Sequence, residues 1–280
     1  MKPILHIHPA LQDDIRDLKT RRPLPNPILA HLDPFLFLNH HGPQVYRSKN
    51  DGLPFGPHPH RGFETVTFIF KGDVSHSDTA GHESVIKEGG VQWMTAGRGL
   101  IHSEASSEEF KRQGGDLEIL QLWVNLPSRL KMTEPKYIGL QKKDIPQITL
   151  EKGKVIVNLI SGSVKGQQGP IKSLTELTLM SLVLKDTAVF DYVIPPVERV
   201  LLYVVRGEVT VNGRRIKSAE LVEFDFPGEA VTIEANMDST LLFGHGLPFG
   251  EPIVSYGPFV MNTREEIQQA IKDVESGKIK

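Results

Sequence analysis

Two short segments of this chain, His58-Pro59-His60 and His102-Ser103-Glu104, carry three imidazoles and a carboxylate at a spacing that suits one metal ion. Side chains two residues apart on a strand share a face, so His58 and His60 look one way, and His102 and Glu104 do the same on a second segment. Neighbouring strands lie about 5 Å apart, close enough for the four donors to meet. Three neutral imidazoles with one carboxylate favour a borderline divalent ion, Fe, Mn, Ni, Cu or Zn, over Ca or Mg. Octahedral iron held by four protein ligands keeps open positions for a substrate or dioxygen. The competing reading, that His-x-His is an exposed turn between Pro57 and Pro59, stands for the first segment alone and weakens once the second is set beside it.

The elements that position these residues read as strands. Across 280 residues, 25 Gly and 20 Pro punctuate short runs rich in Val, Ile, Thr, Phe and Leu, the pattern of an all-β fold built of barrels or sandwiches. The runs are 64–70, 90–94, 117–125, 155–160, 177–184, 200–205, 208–211 and 240–244. The clearest helix lies near the C-terminus. There Thr263 and Glu266 form a capping box, Ile267, Ala270, Ile271 and Val274 make one apolar stripe, and Gly277 marks a stop. The stripe is expected to pack on a barrel wall.

The chain also describes itself twice. A strand ends in a glycine turn at Thr67-Phe68-Ile69-Phe70-Lys71-Gly72-Asp73 and again at Leu202-Tyr203-Val204-Val205-Arg206-Gly207-Glu208. His58 and His60 precede Gly72, and the same offsets back from Gly207 land on Val193 and Pro195. Only His245 follows His102, so the second half cannot assemble a comparable cluster. The expected organisation is a metal-binding N-terminal barrel over residues 1–135 and a ligand-free C-terminal barrel over 136–280 that ends in the helix, with a strand exchanged between barrels able to blur the divide.

Net charge is −2 with Lys and Arg scattered, which gives no basic stripe for direct nucleic-acid contact. No apolar run approaches the roughly 20 residues of a membrane span, and the start, Met1 to His6, lacks a secretory apolar segment, so a soluble cytoplasmic protein is expected. The chain has no Cys, which removes disulfides and thiolate ligands.

The stretches Gly56-Pro57-His58-Pro59-His60-Arg61-Gly62-Phe63-Glu64-Thr65-Val66 and Gln92 to Glu104 resemble the two signature segments of the pirins. His31 to Leu36, Gln121 to Pro127, Gly250 to Ile253 and Gly257 to Asn262 extend the resemblance over nearly the whole chain. It implies a two-domain bicupin: two jelly-roll barrels with one mononuclear metal in the N-terminal barrel, Fe(II) first, with Mn, Ni, Cu, Co or Zn also open. Carried over position by position, the implied metal ligands are His58, His60, His102 and Glu104. The general cupin carboxylate would fall on Glu64, which shares strand parity with His60 and would be either a ligand or a group orienting an imidazole.

The resemblance also implies a function. Some pirins show quercetin 2,3-dioxygenase activity, so the expected reaction is oxygenative ring opening of a flavonol or similar enol-bearing aromatic, with dioxygen as co-substrate and Glu104 as the catalytic proton acceptor. The alternative is a non-enzymatic, redox-responsive regulator that binds a transcription factor or a metabolic enzyme. The remaining histidines read as scaffold: His6 and His8 at a strand edge, His40 and His41 pointing apart, His76 and His82 in a polar loop rimming the site. Trp93, Met94 and Phe63 read as core, Arg61 and Arg98 either anchor an anion or brace a turn, and Gly97 and Gly99 permit a tight turn.

Overall fold

The structure is a computed structural model and describes residues 1–279. It is all-β with two helices. Each half is a jelly-roll barrel made of one seven-stranded and one four-stranded antiparallel sheet. Every strand run expected from the sequence is present, with ends shifted by at most two residues. Examples are Phe63–Lys71, Val91–Thr95, Gly115–Asn125 and Arg199–Arg206. The alternation is weak in Phe35–Tyr46, whose strand was not anticipated, because most of it is buried on both faces.

The first compact unit, here the N-terminal barrel, comprises Gln12–Arg22, Phe35–Lys143 and the chain from Phe249 onward. Its small sheet runs Phe55–His60, Leu100–Ala105, Asp73–Asp78, Glu83–Lys87. The last two strands form a hairpin where the sequence suggested a loop. One end of this barrel is closed by Leu18, Leu53, Ile69, Val74, Ile86, Phe110 and Ile119. Further along the same strands the inward positions turn polar, which leaves that end free for chemistry.

The second unit, the C-terminal barrel, comprises Met1–Leu11, Pro23–Pro34 and Asp144–Pro248. Its interior is filled by an apolar cluster that includes Val157, Leu182, Val200, Leu202, Val204, Val222 and Phe243. The partition departs from a single cut after residue 135. Ile4–Pro9 pairs with Glu220–Phe224 in the C-terminal barrel, and the C-terminal segment packs in the N-terminal one. The reason is register: Ile7 and His8 align with Val222 and Leu221, which completes that sheet's edge.

The C-terminal helix spans Arg264–Glu275 with the full Thr263–Glu266 capping box, and Ser276 and Gly277 end it. Ile267 and Ala270 pack on Phe259 and Met261. A second, short helix, Glu108–Gln113, is capped by the Ser107 hydroxyl, which accepts from the Phe110 N–H. Among the described residues no helix is long and apolar enough to cross a membrane.

Candidate metal centre

Antiparallel pairing sets His102 directly opposite His58 and Leu100 opposite His60. Along Leu100–Ala105 burial alternates, so Leu100, His102 and Glu104 point inward together. One nitrogen from each of His58, His60 and His102 lies within 4.8 Å of the other two. Ring centroids are 4.4 Å apart for His58–His102, 4.8 Å for His58–His60 and 5.0 Å for His60–His102.

Backbone carbonyls fix two of the rings. His58 Nδ1 is 2.7 Å from the Gly56 carbonyl, and His60 Nδ1 is 3.2 Å from the Pro258 carbonyl. A carbonyl only accepts, so in both rings Nδ1 is the donor, which leaves Nε2 as the nitrogen available to a metal. His102 is 2% exposed, and neither of its ring nitrogens has a hydrogen-bond partner. Burial, and then the neighbouring His58, push His60 down to about 3 against the Pro258 hydrogen bond. Burial, then His60, His58 and His76, hold His102 well below the ordinary imidazole range. Three imidazoles converging on one spot fit a borderline divalent cation, and an ion there would supply the partner that the buried His102 nitrogens lack.

Glu104 lies beside this group but outside it. Its Oε1 accepts from Thr67 Oγ1 at 3.0 Å and from the Gln92 amide, and its Oε2 accepts from the Gln121 amide. The Gln92 amide is itself oriented, because Tyr137 OH donates to its Oε1 at 3.3 Å. Burial pushes the Tyr137 phenol up to about 12, so it remains a donor. Glu104 is thus a buried carboxyl group held by three side-chain donors.

Glu64 does not join the cluster. Gly62 sits at φ +90° and ends one strand before Phe63 starts the next, which resets the parity that a continuous strand would have kept. Thr67 reaches Glu104, so the inward face of Phe63–Lys71 carries the odd-numbered residues, and Glu64 takes the other face. There Glu64 Oε1 accepts from Thr95 Oγ1 at 2.6 Å, while Oε2 is buried without a partner. Burial raises its carboxyl above the usual range.

His76 belongs to the site, although the sequence placed it in a rim loop. It faces Glu104 across the strand pair, stacks on Tyr137 with ring centroids 4.0 Å apart, and lies 5.4 Å from His102. Its Nε2 is 3.0 Å from Asp78 Oδ2, and its buried Nδ1 is unpartnered. Burial works against ionisation of Asp78, but hydrogen bonds from His76 and His82 outweigh it and keep the carboxyl below its ordinary value. The alternation Val74, His76, Asp78 was the available signal. Phe63, expected as core, flanks the cluster: it stands 5.0 Å from His60, and Trp123 lies 5.3 Å from His60 and 4.4 Å from Phe63. Phe37 stacks on Trp123 at 4.6 Å with the ring planes 27° apart. Arg61 braces the turn: its guanidinium donates to the Arg98 carbonyl and to Asp273.

Residues 17–124 match the pirin family model, and residues 179–280 match that of the pirin C-terminal cupin domain. A Pseudomonas aeruginosa protein provisionally named a quercetin 2,3-dioxygenase is 40% identical over 90% of this chain and 88% of its own length. A pirin-like protein of Solanum lycopersicum is 39% identical over 92% of this chain and 86% of its own. The crystal structure of quercetin 2,3-dioxygenase from Acinetobacter baumannii superposes with a TM-score of 0.93 at 36% identity, covering 99% of this chain and 98% of that one. Two family models in tandem, relatives aligned nearly end to end and a shared two-barrel architecture place the chain in the pirin family.

Proposed function

We propose that this pirin is a metal-dependent dioxygenase that opens the ring of a flavonol such as quercetin. The observation that carries the reading is the convergence of His58, His60 and His102 beside Glu104, a carboxylate already held as an acceptor. The names of the Pseudomonas and Acinetobacter relatives support the same substrate class. A divalent transition ion bound by the three imidazoles, Fe(II) first, would supply Lewis acidity toward an enol hydroxyl and an electron reservoir for dioxygen.

The protein's own contributions follow from position. Trp123 and Phe37, partly exposed and packed on the buried Phe63, give the side of the site next to His60 an apolar, aromatic character suited to an aromatic substrate. Glu104 accepts the hydroxyl proton, and Thr67, Gln92 and Gln121 fix the direction of its carboxyl group. In this reading Glu104 acts as the base, and a role as fourth ligand would use the lone pair left on Oε2, which accepts only from Gln121.

The test is oxygen uptake and loss of the flavonol absorbance band with tag-free protein reconstituted separately with each candidate ion. Flavonol-dependent uptake, abolished in His102→Ala together with its metal, supports the reading. Fully loaded protein that leaves quercetin and dioxygen untouched overturns it.

A further inference from the structure

A second group of metal-ligating side chains lies in the C-terminal barrel, far along the chain from the first. His6 and His8 sit two residues apart on Ile4–Pro9, and His6 aligns with Glu223 on the adjacent antiparallel strand. His6 Nδ1 is 3.1 Å and His8 Nε2 is 2.7 Å from the same carboxylate oxygen, Glu223 Oε2. The three donor atoms lie within 4.8 Å of one another.

The layout repeats that of the His58 cluster: an i, i+2 histidine pair on an edge strand, with the third donor opposite the first histidine on its neighbour. An anchoring hydrogen bond needs one ring for one carboxylate oxygen. Here two rings from one strand face close on a single oxygen, the convergence that a cation requires. His8 is 4% exposed and Glu223 16%, so two donors are held by packing, while His6 is 60% exposed and leaves the position open to solvent ions.

We infer that His6, His8 and Glu223 form a second divalent-metal site, selective for a borderline ion such as Zn²⁺, that clips the N-terminal strand to the C-terminal barrel. Two imidazoles and one carboxylate leave a tetrahedral ion one position for water. The ion takes the place of the two N–H···O contacts, each ring presenting a lone pair where it had donated a proton. Because residues 6–8 and 223 are distant in sequence, the bound ion closes a long loop and opposes detachment of an edge strand. The site is independent of the proposed oxygenase chemistry.

The experiment is calorimetric titration with ZnCl₂ of tag-free protein, comparing wild type with His6→Ala, an exposed position whose loss leaves the core intact. The variant is expected to bind one equivalent fewer, and zinc to raise its melting temperature less than that of wild type. Glu223→Gln should behave likewise. The same pair is compared in a His58→Ala/His102→Ala background, where one equivalent should remain and vanish when His6→Ala is added. Equal stoichiometry with and without His6, or zinc uptake only at millimolar concentration, overturns the site. Either result leaves the flavonol assay unaffected, so the two readings fail separately.

Discussion

Burial holds His41, His60 and His102 below the ordinary imidazole range, so these three rings fold neutral. His41 and His60 are each pushed down to about 3, His41 by burial and then by His40 and Arg22. Both titrate near 6.5 in the unfolded chain. Below that pH the unfolded state takes up protons that the folded state refuses, so stability is complete above about 6.5 and is lost as pH falls toward 3. Going from pH 6.5 to 5 should cost the metal-free protein about 2 kcal/mol per buried histidine. The check is the melting temperature of chelator-treated protein against pH, with a shallower decline in His41→Gln; a flat profile through this range refutes it. Glu104 carries a different expectation. Glu104→Gln removes the proton acceptor but keeps the shape, so flavonol turnover should fall by about 10²–10⁴-fold while bound metal persists. Equal loss of metal and activity would make Glu104 a ligand instead of a base. The convergence of His58, His60 and His102, and the shared face of His102 and Glu104, were legible because strand alternation sets them in register. His76 was hidden by the polar residues around it, and the mistake over Glu64 came from carrying parity across Gly62, where the chain changes strands.

The short connection between Phe55–His60 and Phe63–Lys71 decides where His60 points. Gly62 adopts φ +90°, and a Cβ there would lie 2.0 Å from the Val260 carbonyl oxygen. Its own carbonyl accepts from buried Lys131 Nζ at 2.9 Å, and Lys131 also donates to Asn125 and to the Val260 carbonyl. Gly62→Ala must therefore displace backbone, not a flexible side chain, at a cost on the order of 3 kcal/mol. It should also strip metal, because His60 is one residue pair away. Gly56→Ala is the control: a Cβ at Gly56 meets nothing within 4 Å, and its carbonyl still holds His58. Melting temperature and metal content of the two variants should separate cleanly, and similar losses in both would refute a special role for the Gly62 turn. Sequence pattern located both strands, yet the partners that fix their junction, Pro258, Val260 and Asp273, lie some 200 residues away, where no local periodicity reports them.

At the scale of the molecule the two barrels share a design and differ in filling. The C-terminal barrel is apolar throughout its interior, and its single late histidine, His245, is engaged with Glu198 and with Tyr192 at 3.2 Å. The duplication was legible from the repeated strand and glycine turn, because each copy carries its own alternation. The exchange of terminal segments was not, because the apolar stripe of Arg264–Glu275 states that it packs without stating on which barrel. That difference can be measured. With a divide at residue 135, ending the chain at Pro248 would damage the C-terminal barrel and spare the metal site. In the structure the segment from Phe249 onward supplies the N-terminal barrel with the Pro258 carbonyl that orients His60, the Val260 carbonyl that receives Lys131, and the Asp273 carboxylate that pairs with Arg61 at 2.9 Å. Without it Lys131 and Arg61 keep buried charges with fewer partners, a loss of several kcal/mol in total. The 1–248 chain should therefore lose the metal bound by His58, His60 and His102, while its C-terminal barrel, complete from Met1–Leu11 through Asp144–Pro248, keeps a cooperative melting transition. Metal analysis and calorimetry on that truncation decide between the two partitions, and full retention of the His58 site would restore the cut after residue 135.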